Sequence, residues 1–368
     1  RALGIYSATG ASGFSFGLVL GGLLTAASWR WVFFLPVPLT LAVLAVARRV
    51  VPRDTPTPYR GSYDVGGAAT ATGGLLLLVY TVTQAPDHGW LSARTRLLAL
   101  VTVALLAGFV LIESKVRQPL LPLGILRNRH LATANLVGLS FFGAYTGFQF
   151  IATLYLQDLL QWSALKMAFA FLPAGLLVAV LSPRVAAVLE RLGARTVVVA
   201  GMVAFLAGYL LFIRIGPHAN YVTDVLPTMV LIGIGVAAAF TAVNIAGVSG
   251  VANTDQGLAG GLVYTSYQAG GGVVLAVVTA VVTSRTAAHT AAGARPSASA
   301  LLAGYHPGLM VVAGIVAAGL LAALFGFTRR SAPAIVTEGG HTESAIAVDP
   351  YVDADPIAYP AGQAQPSG

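Results

Sequence analysis

Few side chains in this 368-residue sequence could do chemistry at depth in an apolar stretch, and those that could are neutral. Tyr145 and Gln149 stand one helical turn apart, with Phe142 on the same face and Asn135 further back along the stretch. Thr241 and Asn244 form a second group, and Tyr264 and Gln268, flanked by Tyr267, form a third. Phenols and amides exchange hydrogen bonds, and in lipid they must find partners in protein or in a water-filled cavity. Two readings follow. The groups are glue between helices, worth roughly 0.6 kcal/mol per bond. Alternatively they line a mixed aromatic and amide cavity that accepts varied amphiphilic molecules, a reading favoured for Gln149 and Tyr264.

Other chemistries are excluded by residue type. There is no cysteine, so disulfides and thiolate sites are ruled out. His88, His130, His218, His289 and His306 fall in loops or at the ends of apolar stretches, His341 lies near the C-terminus, and no pair has metal-ligand spacing on a helix. The only lysines, Lys115 and Lys166, follow no glycine-rich phosphate loop. No catalytic residue, metal or cofactor is therefore expected. Basic residues gather in short loops, which gives no support to nucleic-acid binding. Glu113, Asp158, Lys166, Arg184 and Asp224 all sit at the edges of apolar windows, as they should if a charge at mid-bilayer costs about 2.5–3.5 kcal/mol.

The elements that must position these groups follow from composition. Apolar residues make up 57% of the chain and charged ones 9%, against roughly 25% charged in a soluble domain. Hydrocarbon is the solvent such a chain needs. Ten windows are long enough to cross it as helices: 4–27, 31–47, 65–84, 97–113, 131–156, 164–183, 196–213, 222–246, 257–283 and 307–327. With residue 1 inside, inner loops hold 14 Lys and Arg against seven outside, which places both termini in the cytoplasm. Trp29, Trp31, Trp90 and Trp162 then flank outer loops, as interfacial anchors or as a cage for a ligand. The stretch RQPLLPLGILRNRH, with Pro119 and Pro122, is a poor helix continuation and reads as a connector on the inner surface. From Ser331 onward there is no Lys or Arg but there are five acids, so this tail is expected to be disordered.

The first window carries Thr9, Gly13, Gly17, Gly21 and Thr25 at four-residue spacing, a smooth stripe for close helix approach. The run GFSFGLVLGGLLTAASWRWVFFLPVPL, which adds Gly22, resembles the antiporter signature of the major facilitator superfamily. More narrowly it is similar to the fourteen-helix drug:proton antiporters of the EmrB/QacA type. Leu18 stands where a proline is usual and Pro36 where an asparagine is usual. YDVGGAATATGGLLLLVYTVTQAPDHGW resembles the first of that family's two extra central helices. FIATLYLQDLLQWSALKMAFAFLP and GLAGGLVYTSYQAGGGVVLAVVTAVV resemble later segments, in the family's order.

The resemblance implies an all-α polytopic bundle that lacks the family's first four helices. Residues 1–52 would be the last two helices of the N-terminal bundle, and 53–118 the central pair. Residues 119–330 would be the six-helix C-terminal bundle, entered through the connector, and 331–368 the acidic tail. It further implies export of small amphiphilic compounds by proton antiport across the plasma membrane, with the proton gradient in place of a cofactor. The coupling acid of the family's first helix has no counterpart here. Glu190, Arg191 and Arg195 match a degenerate copy of the family's gating loop, although positive-inside charge explains the arginines equally well. An integral membrane transferase would need converging carboxylates or histidines, and a non-transporting sensor has only the acidic tail to suggest it.

Overall fold

Hydrocarbon offers no partner to a backbone N–H or C=O, so a chain that lives in it must close its hydrogen bonds within itself. The computed structural model describes residues 17, 20–25, 27–50, 64–116, 119–290 and 294–327. Among them every regular element is a helix. We number them α1 (Arg30–Val50, turning at Leu35), α2 (Val65–His88), α3 (Ala93–Lys115) and α4 (Arg129–Leu154). They continue as α5 (Ala164–Ile213), α6 (Leu226–Val248), α7 (Gln256–Ala288) and α8 (Ala298–Gly326). All eight are long and apolar enough to cross a bilayer. The protein is a multi-pass membrane protein.

Polar residues set most of the helix starts. Asp64, Ser92, Asn128, Ser163 and Ser297 each accept a backbone N–H in the first turn of α2, α3, α4, α5 and α8 respectively. The Ser297 cap starts α8 nine residues before the expected window, leaving Pro307 inside the helix. In α5 two windows, 164–183 and 196–213, run on as one 50-residue element bent at Gly193 (φ 79, ψ 156). That φ suits glycine alone, so the residue turns the chain back across the bilayer without a long loop. The eight helices thus account for nine of the ten windows. The first, 4–27, lies largely outside the described residues, and those described within it that have regular structure are helical. The connector holds a single tight turn, Leu123–Arg127.

α4 is the centre of the packed part. It lies against α7, α8 and α6; α5 packs along α6; α8 also touches α7 and α5; α2 pairs with α3 and leans on α7. No residue of α1 is buried among the described residues. Lipid tails are as apolar as leucine, so helices hold together by close packing rather than by escape from water. The contact between α4 and α7 is backbone on backbone. A Cβ on Gly270 would collide with the Leu139 carbonyl, and one on Gly143 would sit 2.7 Å from the Gly270 carbonyl oxygen. Asn135 reinforces the seam by accepting a 2.6 Å hydrogen bond from Ser266 Oγ on α7.

This approach brings aromatic rings into a continuous column. Tyr267 stacks on Phe142 at 5.6 Å, Phe141 meets Phe205 at 5.1 Å, and Phe205 meets Tyr209 at 5.7 Å. Phe148 joins Tyr209 to Phe212 at 4.9 and 5.1 Å, and Tyr155 ends the run, donating its hydroxyl to the Gly216 carbonyl at 2.6 Å. The column crosses the bundle from the α6–α7 face to the loop after α5.

At the base of the α2–α3 pair the structure buries two acids. Asp64 is 8% exposed and Glu113 only 3%. Glu113 lies at the edge in depth, as its sequence position requires, yet it is not a solvated end charge. One oxygen of each is occupied: Asp64 Oδ1 accepts Gly67 N–H at 2.7 Å and Glu113 Oε2 accepts Leu121 N–H at 3.1 Å. The other two, Asp64 Oδ2 and Glu113 Oε1, have no donor among the described residues and converge over Gly67.

Two outcomes are expected from this packing. Gly270→Ala should destabilise the detergent-solubilised chain by about 1–3 kcal/mol, the usual cost of overpacking, whereas Gly261→Ala, a helical position with open space around it, should not lower melting. Glu113→Gln keeps the acceptor for Leu121 and supplies the missing donor to Asp64. It should therefore raise the melting temperature, by an amount equivalent to about 1–3 kcal/mol; a lower melting temperature contradicts the arrangement.

Candidate functional site

α7 carries an open strip rather than a sealed one. Tyr264 is 60% exposed, and Thr265 and Gln268 are exposed as well. Space around Gly257 and Gly261 is open to at least 4 Å. From α6 the strip gains Phe240, 40% exposed, and Asn244, whose amide donates to the Phe240 carbonyl at 2.7 Å. Tyr267 joins this face to the core: Phe240 lies 5.6 Å from its ring and Tyr264 6.3 Å, with Phe142 and Phe141 on its inner side. Its hydroxyl is buried without a partner. No charged side chain interrupts α6, or α7 before Arg285.

The structure divides the sequence candidates accordingly. Tyr264, Gln268 and Asn244 share the open face, and Tyr267 and Thr241 stand buried directly behind it. Tyr145 is inside the bundle, 8% exposed, between Phe142 at 6.2 Å and Phe205 at 6.4 Å. Gln149 is half-buried one turn beyond it. Asn135 is also half-buried, its amide donating to the Leu131 carbonyl at 2.8 Å while its oxygen serves the α7 seam. Such back-bonding recurs at Thr146 and Thr153, so polar groups on α4 are satisfied largely within their own helix. The arrangement can stack on rings and offer neutral hydrogen bonds, and among the described residues no His, Asp and Glu side chains gather into a metal-holding group.

In the glycine-rich first window, Gly13 lies outside the described residues, and a Cβ on Gly17 or Gly21 would have no described neighbour within 4 Å. Gly22 makes the close approach instead: a Cβ there would lie 2.7 Å from the Ala168 Cβ near the start of α5. Of the loop residues, Glu190 and Arg191 are exposed, and half-buried Arg195 lines a cavity at the Gly193 bend. Trp29, Trp31 and Trp90 are more than half exposed, and Trp162 lies under the Lys166 ammonium at 4.1 Å.

Phe240 belongs to the face but was not singled out from the sequence. Its position four residues before Asn244 was the available signal. Phe205 and Tyr209 had none, because their direction depends on the bend at Gly193.

Comparison with known proteins places these features in a family. Residues 1–275 match the model of the Major Facilitator Superfamily. The chain is 35% identical over 283 residues to the puromycin resistance protein pur8 of Streptomyces alboniger, covering 76% of this chain and 56% of that protein. It is also 35% identical over 283 residues to the cephamycin export protein CmcT of Amycolatopsis lactamdurans, covering 76% and 58%. The tetracenomycin C resistance and export protein of Streptomyces glaucescens is 29% identical over 278 residues, covering 75% and 52%. The chain spans little more than half the length of these relatives. With helices throughout the described residues and a family match over most of its length, the chain belongs to the major facilitator superfamily.

Proposed function

We infer that this chain is the larger part of an exporter of small amphiphilic compounds (drugs, dyes or antibiotics), and that it is a transporter rather than an enzyme. The observation that carries this is the open, uncharged aromatic and amide face of α6 and α7 in a chain whose relatives are named for antibiotic resistance and export. A neutral face with exposed rings suits ligands that are flat, apolar and variable in shape. Gln149 and Tyr145 would extend it along α4 as rings and amides reorient. Alternating access would work by rocking two bundles around this face, opening it first inward and then outward.

The finer organisation belongs to the same proposal. The chain would supply helices five to fourteen of a fourteen-helix antiporter, in the plasma membrane with both termini cytoplasmic. Residues 1–52 would end the N-terminal bundle, 53–118 form the inserted pair, 119–330 the C-terminal bundle and 331–368 a tail. Gly22 on Ala168 is the contact through which the antiporter-signature helix would meet the C-terminal bundle. Arg195, with Glu190 and Arg191, would gate the inner side. The proton gradient would drive export, with lipid and a lipophilic substrate as partners, and its carrier would lie in the N-terminal helices expected of the full-length protein.

Cells expressing the protein with its full reading frame should accumulate less of a fluorescent lipophilic cation than control cells, and an uncoupler should abolish the difference. Export that persists without a proton gradient contradicts coupling. Tyr264→Ala and Gln149→Ala should each change the range of compounds exported, Tyr264→Ala with losses of several-fold for the bulkiest aromatic ones, about 1 kcal/mol of lost stacking. An unchanged range in both removes these residues from the cavity.

A further inference from the structure

At the arginine-rich end of the bundle a cavity of about 380 Å³ opens between the start of α4, the Gly193 bend of α5 and the end of α8. Its polar wall is His130, Arg195 and Thr196, and among the described residues no carboxylate lines it. Its apolar wall is Leu192, Val199, Leu324 and Phe327. The His130 ring stacks on Phe327 at 6.2 Å with 23° between the planes, and neighbouring Arg129 is tied to the Phe325 carbonyl at 2.8 Å. Both contacts fix the end of α8 against the start of α4, so the cavity has firm sides.

The apolar wall does not stop at the cavity. Val203 follows Val199 by one turn on α5, and Leu321 precedes Leu324 by one turn on α8. They are 49% and 54% exposed, so an apolar strip runs from the cavity along the helices toward the hydrocarbon. A half-buried cation above such a strip, at the ends of membrane-spanning helices, complements one kind of molecule: an amphiphile with an anionic head and a hydrocarbon tail. The adjoining leaflet supplies it in abundance.

We propose that this cavity binds an anionic phospholipid, its phosphate against Arg195 and His130 and one acyl chain along Val203 and Leu321. The bound lipid braces the Gly193 bend, where the two arms of α5 meet. The site rests on the membrane placement of the helices and is independent of what the protein exports.

Native mass spectrometry of the delipidated chain in detergent tests it, with phosphatidylglycerol and phosphatidylcholine of matched acyl chains as probes. Wild type should retain phosphatidylglycerol about fivefold better, the contribution of one basic residue facing an anionic lipid. Arg195→Gln should erase the preference, Arg214→Gln at the opposite end should keep it, and inorganic phosphate at equal concentration should not displace the lipid. Equal retention of the two lipids by wild type overturns the proposal whether or not the variants fold. A preference that survives in folded Arg195→Gln also overturns it, and displacement by inorganic phosphate replaces the lipid with a plain anion site.

Discussion

Backbone-to-backbone contact between α4 and α7 is the constraint on which the rest of this bundle depends. In a bilayer there is no solvent to squeeze two apolar helices together, so their association must come from contact distance and from the few hydrogen bonds between them. Gly143 and Gly270 let the backbones approach until a side chain on Gly143 would meet the Gly270 backbone and one on Gly270 the Leu139 backbone. Every later feature is built on that seam. Tyr267 can stack on Phe142, and through it on the ring column, only because α7 lies this near to α4.

The same seam decides which polar groups are consumed and which remain. Ser266 donates across it to the Asn135 carbonyl oxygen, while the Asn135 amide bonds back to Leu131. Tyr145 and Tyr267 are enclosed by rings behind it. Tyr264 lies three residues before Tyr267 and stays open, as does Phe240 of α6, both rings meeting that of Tyr267. A strip without charge, with rings at its rim and a buried ring column behind it, is a surface for stacking and weak hydrogen bonding. That is the chemistry expected of a site that tolerates many ligands.

The helices were legible in the sequence because about 20 apolar residues per bilayer crossing is a demand of geometry, indifferent to neighbours. Windows such as 65–84 and 257–283 therefore sit inside α2 and α7. The faces were much less legible. In water, polar residues mark the outside of a helix; in lipid, leucine and valine serve on both sides, and the buried side of α6 looks like its exposed side. Tyr264 and Tyr267 illustrate the limit, being three residues apart and alike in type, one 60% exposed and the other fully buried. Asp64 and Glu113 illustrate another: each resembles an end charge alone, and only the pairing of α2 with α3 brings their free oxygens over Gly67. The expected last window opens at Pro307, whereas the Ser297 cap starts α8 nine residues earlier and the helix runs through the proline.

The sequence contains no cysteine, so a single one placed on any helix reports its own surroundings without a background. Tyr264 and Met310 are equally exposed, each 60%, but only Tyr264 belongs to the polar strip. With Tyr264→Cys and Met310→Cys in membranes, a hydrophilic maleimide should label position 264 and spare position 310, and an exported lipophilic cation should protect 264. Equal labelling of the two positions, or no labelling at 264, would mean that lipid rather than a ligand-accessible cavity covers α7.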